Sequence, residues 1–324
     1  MIESSKNFVE IKKCFLPFFQ SKEPICFYGW GRKKSGQKAI ALAKKYHSNF
    51  ILLEDGFIRS IGLGVEGSPS FSLVEDDMGI YYDATTPSKL ENILNTYDFA
   101  TDSALMQQAD RAIALIKEHK ISKYNNAPLE LPAYLKSSTK KVLIVAQTAG
   151  DASLRYGLAS QDPQAMIRDA IVEYPDAEVY VKVHPDVLAG KKESNVDVDY
   201  AKAHCKVITE NINPIVLLEV FDVVYTQTSQ MGFEALLLGK GVKLYGLPFY
   251  AGWSLGNVAL NVKSEEIEKI LKRRDRNLSV EELFAGAYIL YTRYYNPYKM
   301  RDSDIIDTIM EIIKQRRVEY PKII

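Results

Sequence analysis

Carboxylates at the ends of apolar runs are the groups in this sequence best suited to chemistry. The run VLIVA stops at Gln147, and Asp151 follows after three small residues. Another apolar run ends in Glu54 and Asp55, directly before a glycine. A carboxylate in such a place can act as a nucleophile or as a general acid or base. Asp151 is equally compatible with a turn, a helix cap or a catalyst, and the acidic pair is compatible with an Asp-Gly turn.

Groups that bind anions follow another apolar run. The segment AEVYVKVHPD contains Lys182 and ends with His184, Pro185 and an aspartate. A proline holds the preceding residue in an extended conformation, so we expect the His184 side chain at the edge of a sheet beside Lys182. A lysine and a histidine there suit a phosphate group. A histidine with a purely structural role matches the same pattern.

The segment VYTQTSQMGFEALLLG predicts a strand, a polar turn and a helix. Thr228 or Ser229 is the expected N-cap, and Gln230 begins the helix. Free backbone N–H groups at a helix N-terminus bind anions without a basic side chain. Glu234, within the first two turns, either reaches a ribose hydroxyl or faces solvent. An ordinary capped helix is the alternative interpretation.

Three further polar residues lie close to the carboxylates in the sequence. Arg59 and Ser60 follow the acidic pair, and Arg155 follows Asp151. These positions predict contacts with a substrate carboxylate or with an acceptor hydroxyl group.

A regular alternation of strand-like and helical segments positions all of these groups. Residues 121–141 interrupt this alternation with prolines and paired asparagines and resemble a linker. Dense alternation predicts α/β units whose parallel strands bind ligands beyond their carboxyl ends. We therefore predict two Rossmann-like domains facing a cleft, over residues 1–130 and 131–290, with C-terminal helices over residues 291–324 packing back across the domains.

The composition excludes several classes of protein. The 324 residues are 47% hydrophobic, and their 41 basic side chains are balanced by 41 acidic ones. The chain therefore lacks the excess of basic residues that is typical of nucleic-acid-binding proteins. No apolar run is long enough to span a bilayer and the N-terminus lacks a signal-peptide core, which predicts a cytoplasmic protein. Cys14, Cys26 and Cys205 form no metal-binding pattern and are expected to be reduced core residues.

The sequence can be compared with the glycine motifs of two common classes of nucleotide-binding protein. The segment YGWGRKKSG does not have the GxGxxG spacing, and the GxxxxGK[ST] motif is absent from the sequence. The sequence therefore offers little support for a nicotinamide dehydrogenase or a P-loop enzyme.

Several segments, taken in order, carry a family resemblance over most of residues 24–300. They are FYGWGRKKSGQKA, LLEDGFIRSIGLG, YYDATTPSKLE, AQTAGDASLRYG, VKVHPD, VYTQTSQMGFEALLLGKGVKLYGLPFYAGW and RRDRNLSVEELFAGAYILYTRYYNP. In these segments the chain resembles the KpsC/LipA capsule polysaccharide family, whose members are retaining β-Kdo transferases. KpsC itself is usually a tandem of two transferase modules, whereas this chain has one, so the resemblance implies a single linkage.

The resemblance also implies a fold, a donor and partners. The fold would be GT-B-like, with an acceptor-side N-terminal domain and a C-terminal domain that binds the CMP-sugar. The donor would be CMP-β-Kdo, with no cofactor and no metal, since CMP is a good leaving group. The acceptor would be lipid-linked or an oligosaccharide, handled within a capsule assembly or export complex. A lipid acceptor would require peripheral attachment to the inner membrane, for which the N-terminus and the C-terminal KQRR are candidates.

Residue roles follow from the same resemblance. The family pattern Gln-x-x-x-Asp matches Gln147 and Asp151, and the His-Pro pair associated with CMP matches His184 and Pro185. Retention requires two inversions, so we predict Asp151 as the nucleophile that forms a transient Kdo ester. The acidic pair before glycine would supply the acid/base, either Glu54 or Asp55. The leaving phosphate would be stabilised by groups predicted above, namely Lys182, His184 and the helix start at residues 228–230.

Two other functions remain compatible with the sequence. One is a cleft-type transferase that uses CMP-sialic acid or a nucleoside-diphosphate sugar. The other is a non-catalytic capsule protein that binds a nucleotide or a glycan. Such a protein would bind CMP without turnover, and its function would not require Asp151.

Overall fold

Two β-sheets organise the chain. The computed structural model describes residues 25–183, 187 and 192–319, and these ranges form a sheet of five strands and a sheet of six strands. Helices pack against the strands of both sheets, so the predicted α/β class with two Rossmann-like units is confirmed. The first unit is built on the five-stranded sheet and the second on the six-stranded sheet. No helix in the described ranges is both long and apolar enough to cross a membrane. Cys14, His184 and Pro185 lie outside the described residues.

The five-stranded sheet begins with a β–α–β unit. β1 (Cys26–Trp30) and β2 (Asn49–Asp55) are parallel, and α1 (Lys34–Tyr46) connects them. Gly36, near the start of α1, has no room for a side chain, because a Cβ there would collide with the carbonyl oxygen of Gly31. The glycine-rich segment thus lets α1 pack closely against β1, which accounts for its glycines without a dinucleotide.

The other strands of this sheet pair in antiparallel fashion, and two of them come from the C-terminal region of the chain. The order is β1-β2-β3-β10-β11, with β3 at Ser72–Asp76, β10 at Thr292–Asn296 and β11 at Arg301–Ser303. The prediction of helix throughout residues 291–324 is therefore wrong for β10 and β11. Buried and exposed residues alternate along β10, which is the period of a strand rather than a helix.

The six-stranded sheet is entirely parallel, in the order β6-β5-β4-β7-β8-β9. Its strands are β4 (Lys141–Val145), β5 (Glu178–Lys182), β6 (Lys206–Ile208), β7 (Val223–Thr226), β8 (Gly241–Leu244) and β9 (Val258–Leu260). β4 is buried along its whole length, as its continuous apolar run predicts. The strand order reverses at β4, because β5 lies on one side of it and β7 on the other. Crevices at such reversals bind ligands in open α/β sheets.

The remaining helices connect strands or pack between the units. They are α2 (Lys89–Thr96), α3 (Ser103–His119), α4 (Ala152–Tyr156), α5 (Ala165–Glu173), α6 (Val198–His204), α7 (Pro214–Glu219), α8 (Gln230–Leu237), α9 (Glu265–Arg273), α10 (Val280–Phe284) and α11 (Ile305–Glu319). Ser88 caps α2 and Asp102 caps α3 through their side chains, as the serine and aspartate start signals predict. α11 packs on α3 and β10, so the C-terminal segment returns to the first unit.

Aromatic side chains from both units form a continuous core between the sheets. The ring of Phe57, shortly after β2, has its centroid 4.9 Å from that of Phe249 and 4.7 Å from that of Tyr288. The ring of Phe233 on α8 lies 5.7 Å from that of Tyr288. All four side chains are buried. Since separating the units would expose these rings to water, the hydrophobic effect holds the units in one arrangement.

A buried ion cluster joins the units at a second place. The carboxylate of Glu91 on α2 accepts hydrogen bonds from Nε of Arg273 at 2.8 Å and from Nε of Arg274 at 2.9 Å. Arg274 also donates to the carbonyl oxygen of Pro248 at 2.8 Å. The side chains of Glu91 and Arg274 are only 5% and 3% exposed. Charges so deeply buried are tolerated because each is paired and hydrogen-bonded.

Replacement of Glu91 by alanine should lower the free energy of unfolding by about 3–5 kcal/mol, because it leaves the Arg274 guanidinium buried without its counter-ion. Urea unfolding of the variant and the wild type measures this loss. The matched control is Glu265→Ala, which removes one partner of an exposed pair with Lys269 and should leave the stability nearly unchanged. Equal losses in the two variants would contradict a stabilising role for the cluster.

Candidate functional site

An open cavity of about 760 Å³ lies between the two sheets. One wall comes from the end of β2 and from residues 122–127, and the other from the carboxyl ends of β4, β5 and β7. The volume is typical of sites for small molecules and cofactors. The predicted site residues that line this cavity are Glu54, Gln147, Asp151, Lys182, Thr228, Ser229, Gln230 and Glu234.

Gln147 joins the carboxyl ends of β4 and β7. Its Oε1 accepts a hydrogen bond from the backbone N–H of Thr228 at 2.9 Å, and its Nε2 donates to the Thr228 hydroxyl at 3.0 Å. Nε2 also lies 3.3 Å from the hydroxyl of Ser153. Both ends of the Gln147 amide are therefore bonded within the protein, and they position Thr228 and Ser153 in the cavity wall.

Asp151 lies at the mouth of the cavity as the exposed N-cap of α4. Its carboxylate accepts a hydrogen bond from the backbone N–H of Ser153 at 2.9 Å. Gly150, directly before it, has a φ of +78°, a left-handed conformation that glycine adopts without strain. Of the alternatives that the sequence leaves open, the helix cap is therefore the one observed. Because Asp151 also lines the cavity, the cap does not exclude a catalytic role.

The N-terminus of α8 faces the same side of the cavity. Ser229 is the N-cap, as predicted, and its hydroxyl accepts a hydrogen bond from the N–H of Met231 at 3.2 Å. Gln230 has a different task, because its Nε2 donates to the carbonyl oxygen of Phe57 in the other unit at 2.8 Å. This bond anchors the start of α8 to the segment that follows β2.

Glu54, near the end of β2, is a carboxylate of the opposite wall. Its Oε1 accepts hydrogen bonds from the indole N–H of Trp30 at 3.0 Å and from the backbone N–H of Asp55 at 3.1 Å. Burial raises the pKa of Glu54 above its usual value, although the charge of Lys123 and the N–H of Asp55 oppose this shift. A carboxyl group with a raised pKa is suited to exchanging a proton near neutral pH.

Lys182, at the end of β5, shares the wall of Gln147. Its Nζ donates a hydrogen bond to the carbonyl oxygen of Glu210 at 2.7 Å. Burial lowers the pKa of Lys182 to about 8, and the negative charge of Glu210 opposes the shift. His184 and Pro185, which follow it closely in the chain, belong to residues that the structure does not describe. Their association with CMP stays a prediction.

Glu234 on α8 lies deep in the cavity wall. Its side chain is only 3% exposed, so the alternative that it faces solvent is wrong. Its Oε1 accepts hydrogen bonds from the hydroxyl of Ser122 at 2.6 Å and from Nε2 of Gln230 at 3.4 Å. Burial raises the pKa of Glu234 to about 7, against the opposing effects of these hydrogen bonds and of Lys123.

The remaining predicted residues, Asp55, Arg59, Ser60 and Arg155, do not line the cavity. Asp55 pairs with Nε of Arg59 at 3.0 Å, and Arg59 also donates to the hydroxyl of Ser60 at 2.8 Å. Ser60 is fully buried. Arg155 is exposed, and its guanidinium lies over the adjacent tyrosine ring at 5.4 Å. These side chains have local partners in the protein, and their contact with a substrate stays a prediction.

Lys123 is a cavity residue that the sequence did not single out. It belongs to residues 121–141, which resemble a linker. Its carbonyl oxygen accepts hydrogen bonds from the backbone N–H groups of Arg59 at 3.0 Å and Ser60 at 3.2 Å, so the segment packs firmly on the first unit. Tertiary contacts alone bring Lys123 to the cavity. The local sequence therefore carries no motif that would have identified this lysine as a site residue.

A family model and curated relatives match most of the chain. The model for capsule polysaccharide biosynthesis protein matches residues 26–294. Capsule polysaccharide modification protein LipA of Neisseria meningitidis serogroup B is 43% identical over 296 residues, which are 89% of this chain and 41% of LipA. Lipopolysaccharide-processing protein LpsZ of Rhizobium meliloti is 36% identical over 303 residues, which are 90% of this chain and 64% of LpsZ. The chain thus spans about two fifths of the length of LipA.

Two solved structures are similar over most of the chain. One is Thermosulfurimonas dismutans KpsC, beta Kdo 2,4 transferase, with a TM-score of 0.79 and 44% identity, covering 88% of this chain and 86% of that chain. The other is Thermosulfurimonas dismutans KpsC, beta Kdo 2,7 transferase, with a TM-score of 0.67 and 30% identity, covering 97% and 90%. Both have the same overall fold as this chain.

The raised pKa of Glu234 should make the stability of the protein depend on pH. A carboxyl group that binds its proton more tightly when folded stabilises the protein fully below pH 4.5, and this contribution is lost as the pH rises through about 7. A glutamine side chain does not titrate, so the Glu234→Gln variant lacks this pH-dependent contribution. The free energy of unfolding of Glu234→Gln, relative to wild type, should therefore rise by about 3 kcal/mol between pH 5 and pH 8. Urea unfolding at both pH values measures it, and a pH-independent difference would contradict the raised pKa.

Proposed function

Because the chain belongs to the capsule polysaccharide biosynthesis protein family, we propose that it is a glycosyltransferase that moves Kdo from CMP-β-Kdo to a lipid-linked or glycan acceptor. The family match supports a role in making capsule polysaccharide. The similarity to two KpsC structures described as beta Kdo transferases supports Kdo as the transferred sugar. Since identity is 44% to the 2,4 transferase and 30% to the 2,7 transferase, a 2,4 linkage is the first product to test.

The observation that carries this proposal is a pair of carboxylates on opposite walls of one cavity. Asp151 comes from the second unit and Glu54 from the first, and both line the cavity. Transfer with retention requires one carboxylate as the nucleophile and another group as the acid/base. The two walls supply one of each.

The donor phosphate is assigned to the wall formed by the six-stranded sheet. Lys182 supplies a positive charge there, and the N-terminus of α8 supplies backbone N–H groups beside Thr228 and Ser229. Gln147 holds Thr228 in place. Such preorganised groups stabilise the negative charge that develops on the leaving CMP.

The reaction proceeds in two displacements. In the first, a carboxylate oxygen of Asp151 bonds to the anomeric carbon of Kdo while the bond from that carbon to the phosphate oxygen breaks, and CMP leaves. In the second, the acceptor hydroxyl oxygen bonds to the same carbon, its proton passes to Glu54, and the ester bond to Asp151 breaks. The two inversions retain the β configuration. Glu54 is preferred to Asp55 as the base, because Asp55 is paired with Arg59.

Intact-protein mass spectrometry in the presence of a CMP-Kdo generating system should reveal a Kdo ester on the protein. The ester should accumulate most on Glu54→Gln, in which the second displacement is slowed. Asp151→Asn should carry no ester and should lose about a thousandfold or more of its transfer rate. The matched control is Asp176→Asn, at an exposed turn before β5, which should behave as wild type. An ester on Asp151→Asn would exclude Asp151 as the nucleophile.

CMP binding should weaken as the pH rises from 7 to 9, because Lys182, with a pKa of about 8, loses its charge over this range. Lys182→Met should bind CMP about tenfold more weakly at pH 7 and should show little of this pH dependence. Isothermal titration calorimetry measures both effects. Lys206→Met, at an exposed position of β6, is the matched control and should bind CMP as wild type does. Unchanged CMP affinity in Lys182→Met would remove this residue from the donor site.

A further inference from the structure

Within the part of the chain that the structure describes, the ammonium group of Lys123 is a cavity charge without a hydrogen-bond or ion-pair partner. Its side chain is partly buried and lines the cavity. Among the described residues, its Nζ makes no hydrogen bond or ion pair, in contrast to the Nζ groups of Lys141 and Lys182, which donate to backbone carbonyl oxygens. The N–H donors of this ammonium group are therefore available to a ligand in the cavity. A cation with available donors in an open cavity suits an anionic ligand.

The surroundings of Lys123 keep it positively charged. Burial alone would lower its pKa, but neighbouring groups raise the pKa of Lys123 above its usual value. These groups are Tyr81, Tyr124, Asp55 and Glu54. The same neighbours do not neutralise it by direct pairing, because Asp55 is paired with Arg59 at 3.0 Å and Glu54 accepts its hydrogen bonds from other donors.

Hydrogen bonds fix the turn that carries Lys123. The side-chain amide of Asn125, which is fully buried, donates to the carbonyl oxygens of Ser60 at 3.0 Å and Ser122 at 2.9 Å. The hydroxyl of Ser122 donates to Glu234 in the second unit at 2.6 Å. Residues on either side of Lys123 are therefore tied to both units, so its position is preorganised rather than assembled when a ligand binds.

We propose that the Lys123 ammonium binds the carboxylate of the transferred keto-acid sugar and makes the cavity select this sugar over a neutral one. This inference rests on the proposed transfer of Kdo. In Kdo the carboxylate is bonded directly to the anomeric carbon, so the group that binds it must lie beside the acid/base at that carbon. Lys123 meets this requirement, since it lines the same wall of the cavity as Glu54.

The other lysines of the cavity are less suited to this role. Lys182 belongs to the wall assigned to the phosphate. Lys33 is exposed, and its ammonium lies over the ring of Trp30 at 5.5 Å. A neutral sugar in the cavity would leave Lys123 desolvated and unpaired, and a site with an unpaired polar group rejects such a ligand strongly.

The test compares Lys123→Met with wild type in donor kinetics and in CMP binding. The KM for CMP-Kdo should rise about 10- to 100-fold, while the CMP dissociation constant, measured by calorimetry, stays within about twofold of wild type. Lys123→Arg keeps the charge and should recover most of the donor affinity. The matched control is Lys136→Met, at an exposed position within the same residues 121–141, and it should behave as wild type. Circular dichroism establishes that each variant is folded.

Each outcome separates the Lys123 role from the proposed function. Suppose that the wild type turns over CMP-Kdo and that the KM is unchanged in Lys123→Met. This result would overturn the assignment of Lys123 but not the proposed transferase function. Equal losses of CMP-Kdo and CMP affinity would assign Lys123 to the phosphate and overturn its role at the carboxylate. A wild type that releases no CMP from CMP-Kdo would overturn the proposed function itself, and the Lys123 assignment with it.

Discussion

Burial of the Phe57 ring between the two units is the interaction on which the rest of the structure depends. Phe57 follows Glu54 by three residues, its ring packs on Phe249 and Tyr288, and its carbonyl oxygen accepts the hydrogen bond of Gln230 at the start of α8. One residue thus fixes the wall of the first unit that carries Glu54 relative to the start of α8 in the second unit. The hydrophobic effect supplies the energy, and the directional hydrogen bond supplies the register.

Much of the fold and some of the site could be predicted from local sequence. The VLIVA run predicts a fully buried strand because a central parallel strand has no polar face. The caps at Asp151 and Ser229 are predictable because short polar side chains satisfy the free N–H groups that begin a helix. The general rule that ligands bind beyond the carboxyl ends of parallel strands then brings these caps to one cavity.

The remainder depends on contacts between residues far apart in the chain, which periodicity does not report. β10 joins a sheet whose neighbouring strand β3 lies more than two hundred residues earlier in the chain. Lys123 reaches the cavity because buried Asn125 and the backbone near Ser60 hold its turn in place. Asp55 and Glu54 are adjacent carboxylates that the sequence does not distinguish. In the structure Asp55 pairs with Arg59, whereas Glu54 lines the cavity. Pairing and burial of this kind arise only from the assembled structure.

The core shared by the two units also has a consequence for the movement of molecules into and out of the cavity. A hinge motion that opened the units would expose Phe57 to water and separate Glu91 from Arg274. Substrates of the proposed transferase would therefore enter and leave without such an opening, through the mouth where Asp151 is exposed. Water would have the same access. The lifetime of a sugar ester on Asp151 would then be set by competition between acceptor and water at this mouth, and not by the timing of a domain closure.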